Sequence, residues 1–139
     1  MNMERKQISD NGREVSPQPV HVLVVDDHRL LRQELRNILS FYREFTVVGE
    51  AEDGTQACEL AQQLQPDVIL MDVHMPNMNG IEATRRIKAN LPDVIIIGLS
   101  VNTSVAVADE MDAAGASAYL SKETAPEDLY RTIRAALTT

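Results

Sequence analysis

Three aspartates, a serine and a lysine stand where apolar runs of this chain come to an end. Asp26 and Asp27 follow Val22-Leu23-Val24-Val25, Asp72 follows Val68-Ile69-Leu70-Met71, Ser100 closes the aliphatic run 94–99, and Lys122 comes just after Tyr119-Leu120-Ser121. Short aliphatic runs rich in β-branched residues read as strands buried on both faces, so each polar residue falls at a strand's carboxyl end. In open parallel sheets that edge is where ligands bind. Carboxylates about 4 Å apart repel by ~1 kcal/mol in water and ~4 kcal/mol at an effective dielectric near 20, so a shared crevice of this kind calls for a cation. Oxygen donors alone suit Mg2+ or Mn2+ better than zinc.

Asp26, Asp27 and Asp72 are thus the candidate metal ligands, with the backbone carbonyl of His74 placed to add a further oxygen. A divalent ion and the ammonium of Lys122 would balance the three carboxylates. That arrangement suits phosphoryl transfer to a carboxylate: the incoming group needs its equatorial oxygens stabilised during in-line attack, and no general base is required. Asp72 is the expected acceptor, and Ser100 offers a hydroxyl to one phosphoryl oxygen. Each residue alone has a plainer reading. An aspartate after a strand is often a helix cap, as Asp27 could be for the helix that follows, and Lys122 alone would be a solvated charge. It is their recurrence at matching edges that carries the argument. His28 and His74 lack a histidine at helical spacing or a cysteine partner, which argues against side-chain ligation of zinc.

Alternating elements must position these residues. Strands are expected at 20–25, 45–49, 68–71, 94–99 and 116–120. Between them, Leu31, Leu35, Ile38 and Leu39 mark the buried face of a first helix, Asp53-Gly54-Thr55-Gln56 opens a second as a capping box, and Gly80 precedes a third built on Ile81, Thr84 and Ile87. Asn102, Thr103 or Ser104 caps a fourth that ends near Ala114 before Gly115, and Thr124-Ala125-Pro126-Glu127 reads as the capping box of a fifth built on Leu129, Ile133, Ala136 and Leu137. In Met75-Pro76-Asn77-Met78-Asn79-Gly80 a fixed proline, turn-forming asparagines and a free glycine shape the exit from the third strand. Alternation with short links predicts an α/β doubly wound sheet, flavodoxin-like, of five parallel strands in the order 2-1-3-4-5 with five helices. That order brings the first and third strands together at the switch point.

The 139 residues suffice for one domain, read as a disordered leader over 1–19 and a folded unit over 20–139. The single cysteine, Cys58, excludes an internal disulfide, and a cytoplasmic setting is expected. Neither a secretory signal nor the ~18 apolar residues of a membrane span is visible. No membrane partner is therefore expected, and a net charge of −8 without a basic stripe argues against nucleic acid as a partner of this segment.

Val22-Leu23-Val24-Val25-Asp26-Asp27-His28, the run 67–72 with Met75-Pro76-Asn77-Met78-Asn79-Gly80, the strand ending at Ser100 and Tyr119-Leu120-Ser121-Lys122 together resemble the receiver domain of two-component response regulators, over about residues 20–138. Asp-Asp-His-Arg-Leu-Leu-Arg, and a lysine not followed by proline, resemble the NarL/LuxR branch. The resemblance implies Asp72 as phosphoacceptor, Asp26 and Asp27 at a Mg2+ site with the His74 carbonyl, Ser100 and Tyr119 as switch residues and Lys122 as the phosphate-contacting cation. Glu123 stands where many members have proline, and Val101 where many have alanine.

It also implies a sensor histidine kinase as phosphodonor and an altered surface of the fourth helix, fifth strand and fifth helix as output. The chain stops at Thr139 without a helix-turn-helix, so a DNA-binding output domain beyond it, a single-domain regulator and a hybrid-kinase receiver stay open, as does homodimerisation. An aspartyl-phosphate phosphatase would need a substrate cap that these short loops do not provide. A flavin carrier would need a hydroxyl- and glycine-rich loop where Asp26 and Asp27 stand.

Overall fold

The computed structural model describes residues 7–8, 14–15, 18–101 and 103–138. Five parallel strands, β1 (Val20–Val25), β2 (Phe45–Ala51), β3 (Val68–Asp72), β4 (Ile95–Ser100) and β5 (Ala118–Ser121), lie in the order β2-β1-β3-β4-β5. Helices α1 (Arg29–Ser40), α2 (Gly54–Leu64), α3 (Gly80–Asn90), α4 (Val105–Ala114) and α5 (Pro126–Leu137) connect and follow them. This is the expected doubly wound topology. In the segment read as a leader, Gln7–Ile8 pairs antiparallel with Glu14–Val15, and the expectation for the rest of 1–17 lies outside the described residues.

Side-chain alternation divides the core into two layers. Leu23, Val25, Ile69, Met71 and Ile96 face α2, α3 and α4 through Ala57, Ala61, Ala83, Ile87 and Met111. Val22, Val24, Leu70, Ile97 and Leu99 face α1 and α5 through Leu35, Leu39, Leu129 and Ile133. Only strands covered on both sides can be this uniformly aliphatic, and β3 is buried at every position. Tyr130 of α5 stacks on Tyr42 and donates its hydroxyl to Glu44 at 2.6 Å, tying α5 to the α1–β2 turn.

Local chemistry sets most of the ends. Asp53, Asn79 and Ser104 cap α2, α3 and α4 by accepting from the N–H groups of Gln56, Glu82 and Val107. Gln56 returns its side-chain oxygen to the N–H of Glu52, one residue before the position that the capping-box reading implies. The box expected at Thr124 does not form: Ala125 is the N-cap of α5, without a side-chain hydrogen bond, and Pro126 starts the helix by its fixed φ. Asp27 does not cap α1 either, because the N-cap is His28. Gly80, expected to supply conformational freedom, supplies room: a Cβ there would lie 2.1 Å from the carbonyl oxygen of Asp72. The left-handed residue of that loop is Asn77, at φ 69°. Among the described residues no helix is long and apolar enough to cross a membrane.

Candidate functional site

Backbone pairing delivers the acidic residues to one edge of the sheet. Val25 pairs with Met71 in the parallel ladder, so the residues that follow β1 and the last residue of β3 emerge side by side. The N–H of Asp26 donates to the carbonyl of Ala51 at 3.0 Å, holding the start of the β1–α1 loop against the end of β2. On the other side Asp72 pairs with Leu99, Ser100 pairs with Ser121, and the N–H of Lys122 donates to the Ser100 carbonyl at 2.9 Å. The extra bond past β5 aims Lys122 back along the sheet edge.

There its ammonium bridges two carboxylates, lying 2.8 Å from Oδ2 of Asp26 and 3.0 Å from Oδ1 of Asp72. Asp26 and Asp72 are each 1% exposed, and Oδ2 of Asp72 is buried without a hydrogen-bond partner. An orphaned carboxylate oxygen at a ligand-binding edge is an open coordination position. Burial pushes the Asp72 carboxyl up to about 6, with Lys122 opposing the rise and Asp26 adding to it. Burial works against the Lys122 ammonium too, yet its hydrogen bonds to Asp26 and Asp72 outweigh that and raise its pKa. Carboxylate oxygens of Asp26, Asp27 and Asp72 and a ring nitrogen of His28 all lie within 4.8 Å of one another, so the pocket's donor set fits a divalent cation.

The candidates thus divide by position. Asp26, Asp27, Asp72 and Lys122 are brought together. Ser100 is fully buried at the end of the neighbouring strand. His74 turns its N–H toward Oδ1 of Asp72 at 3.3 Å, and its side chain is exposed. Tyr119 is half-buried on β5, its ring edge beside Gly98, whose missing side chain leaves space also occupied by Met111.

Two contacts escaped the sequence reading. Arg32, outside the apolar face of α1 that Leu31, Leu35, Ile38 and Leu39 mark, is only 15% exposed: Nη1 donates to the carbonyl of Asp26 at 2.6 Å and Nε to Glu50 at 2.9 Å. The ring Nδ1 of His28 lies 3.2 Å from Asp26 and 3.1 Å from Asp27. Arg32 sits one helical turn after His28, and that spacing from the acidic pair was the available signal.

Fold and site together define a class: a flavodoxin-like domain with an acidic pocket and a lysine at the carboxyl edge of its sheet. A family profile described as the response regulator receiver domain matches residues 22–134. The chain is 38% identical over 123 residues to the transcriptional regulatory protein DegU of Brevibacillus brevis, covering 88% of this chain and 52% of that protein. It is 43% identical over 115 residues to the response regulator UvrY of Escherichia coli strain K12, covering 83% of this chain and 53% of that protein. Among solved structures, a LuxR-family two-component response regulator from Aurantimonas sp. SI85-9A1 superposes with a TM-score of 0.83 at 32% identity, covering 87% of this chain and 86% of the other. The chain belongs to the response regulator receiver domain family, on the LuxR-type side that its Asp-Asp-His pattern suggests. It spans about half the length of the two regulators named first.

Proposed function

We propose that this domain takes a phosphoryl group from the phosphohistidine of a sensor kinase onto Asp72 and passes the change to an output partner. The observation that carries the reading is the pairing of a buried, orphaned Asp72 oxygen with an ammonium 3.0 Å from the other oxygen of the same carboxylate. A pKa of about 6 leaves Asp72 ionised at neutral pH, so the nucleophile needs no base. In the transfer, an Asp72 oxygen bonds to phosphorus, the phosphorus–nitrogen bond of the donor breaks, and the departing imidazole takes a proton from solvent. Lys122 neutralises the phosphoryl oxygens, and Ser100 donates its hydroxyl to one of them. Asp26, Asp27 and Asp72, with the His74 carbonyl, would hold Mg2+ or Mn2+, which when bound supplies further positive charge to the same oxygens. A cleft of about 340 Å³ between α1 and α5, walled by Leu31, Leu35, Ile38 and Leu129 and reaching Lys122, offers the donor protein a seat beside the site.

Phosphorylation adds about −1.5 to −2 charges. Ser100 and Lys122 close on them, the movement of Ser100 leaves room for Tyr119 to turn inward, and the surface of α4, β5 and α5 is remodelled. The half-length match to transcriptional regulators supports a DNA-binding output domain in the whole protein, acting in the cytoplasm. Incubation with a small phosphodonor such as acetyl phosphate and Mg2+ tests the acceptor: the parent gains one acid-stable, hydroxylamine-labile phosphoryl group and Asp72→Asn gains none. Equal labelling of that variant would refute the assignment.

A further inference from the structure

We propose that Arg32 is a positioning residue: its guanidinium fixes the peptide joining Asp26 to Asp27, and an extra residue in β2 turns Glu50 toward α1 to hold it there. The inference rests on the reading that the acidic pocket takes a divalent cation, and concerns the support behind the carboxylates rather than the donors themselves.

The register of β2 carries the argument. Val20 and Val22 pair with Phe45 and Val47, all on the sheet face that α1 and α5 cover. Between Val22 and Leu23 the partner jumps from Val47 to Gly49, so Val48 is an extra residue and every later position of β2 is turned to the opposite face. Ala51 accordingly lies beside Val25 on the α2 side, and Glu50, beside Val24, faces α1. In an unbroken strand Glu50 would share a face with Thr46 and Val48 and point toward α2. The bulge brings a carboxylate under α1 that regular alternation would send to the other layer.

There Glu50 accepts from Nε of Arg32 at 2.9 Å and pairs with Nη1 of Arg36 at 3.1 Å. Arg32, held in this way, keeps its own Nη1 on the carbonyl of Asp26 at 2.6 Å. The N–H of Asp26 donates to Ala51 at 3.0 Å, so consecutive residues of β2 fix Asp26 at its amide directly and at its carbonyl through Arg32. A planar guanidinium suits this two-way hold because its donors diverge in fixed directions, whereas an ammonium on a flexible stem has no such fork. A loop already set spares the ion the cost of ordering it.

The experiment uses the full chain with R32M, which keeps the apolar stem, and R32K, which keeps the charge. Amide hydrogen exchange in EDTA reads the loop, Mg2+ titration of the amide NMR spectrum reads affinity, and acetyl phosphate labelling is followed at limiting and saturating Mg2+. In R32M the amides of Asp26 and His28 should exchange faster while those of β3 keep their protection, and Mg2+ affinity should fall about tenfold. Labelling should slow at limiting Mg2+ and return to the parent rate at saturation, because the acceptor itself is untouched. R32K should fall between parent and R32M, and E50Q should repeat the pattern at smaller size, which decides the matter if R32M does not fold. Unchanged exchange at Asp26 and His28, unchanged Mg2+ affinity, or a loss of protection spread equally over β3 would overturn the proposal. A parent that binds no Mg2+ would overturn the pocket reading and this inference with it, whereas a parent that binds while both R32M and E50Q match it would overturn this inference alone.

Discussion

Replacing Asp72 by asparagine should stabilise the metal-free domain, although it removes the residue on which the proposed function turns. Burial lifts the Asp72 carboxyl from an ordinary 3.8 to about 6, even with Lys122 pulling against the rise. At about 1.4 kcal/mol per pH unit, keeping this group ionised costs the fold about 3 kcal/mol at neutral pH. Between the ordinary and the raised value the folded state holds more protons than the unfolded chain, so stability falls as pH rises through that window. Asparagine copies the protonated carboxyl and escapes the cost. Urea denaturation in EDTA, followed by far-UV circular dichroism because the chain has no tryptophan, should therefore place D72N about 3 kcal/mol above the parent at pH 7.5. The gap should shrink to under about 1 kcal/mol at pH 4, where Asp72 is protonated in the folded parent and about half protonated in the unfolded chain. A variant no more stable than the parent at pH 7.5, or an advantage of equal size at both pH values, would refute the reasoning.

Removing the bridging cation should act in the opposite sense: K122M leaves Asp26 and Asp72 facing each other and should cost about 3 kcal/mol at pH 7.5 in EDTA. The loss should be smaller in a D72N background, a coupling that a double-mutant cycle reads directly. Thr84 is fully buried on α3 with its hydroxyl oxygen unpartnered, so the isosteric T84V should raise stability by about 1 kcal/mol in the same denaturation assay. Gly80→Ala drives a methyl group into the Asp72 carbonyl and the Val73 Cα, both main-chain atoms that cannot step aside, and should lower stability by about 3 kcal/mol.

The sheet was legible because burial on both faces leaves a composition that few other environments produce. The strand at 20–25 is found at the expected residues, and β3 takes in Asp72 as its last residue. β2 runs on to Ala51 because Glu50, polar and thus unlike a strand residue, is neutralised by Arg32 and Arg36. β5 starts later than Ala116, since the N–H of Ala116 is spent on the carbonyl of Met111 in closing α4 around Gly115. The acidic pocket was legible for the same reason as the strands, as its aspartates mark their ends. Which groups turn into it was not. His28 and Arg32 reach Asp26 through the angle at which α1 leaves β1, and Arg32 meets Glu50 across 18 residues of sequence. Such encounters leave no periodic trace. The role of Gly80 was misread because a glycine needed for space and a glycine needed for φ look alike in a sequence.

Two glycines grip the β3–α3 turn from opposite ends. Gly80 presses on the Asp72 carbonyl, and Gly54, at the start of α2, sits so near the Met78 carbonyl that a Cβ would come within 2.3 Å of it. Asn77 adds a tether to Asp53 at 3.0 Å. Across β3, by contrast, α4 has two buried residues, Met111 and Ala114, against four in α3. Stiffness is therefore shared unequally around the carboxylate. One flank is an anvil of interlocked main chain; if Asp72 is phosphorylated as proposed, α4 on the other is the element with less to give up in yielding.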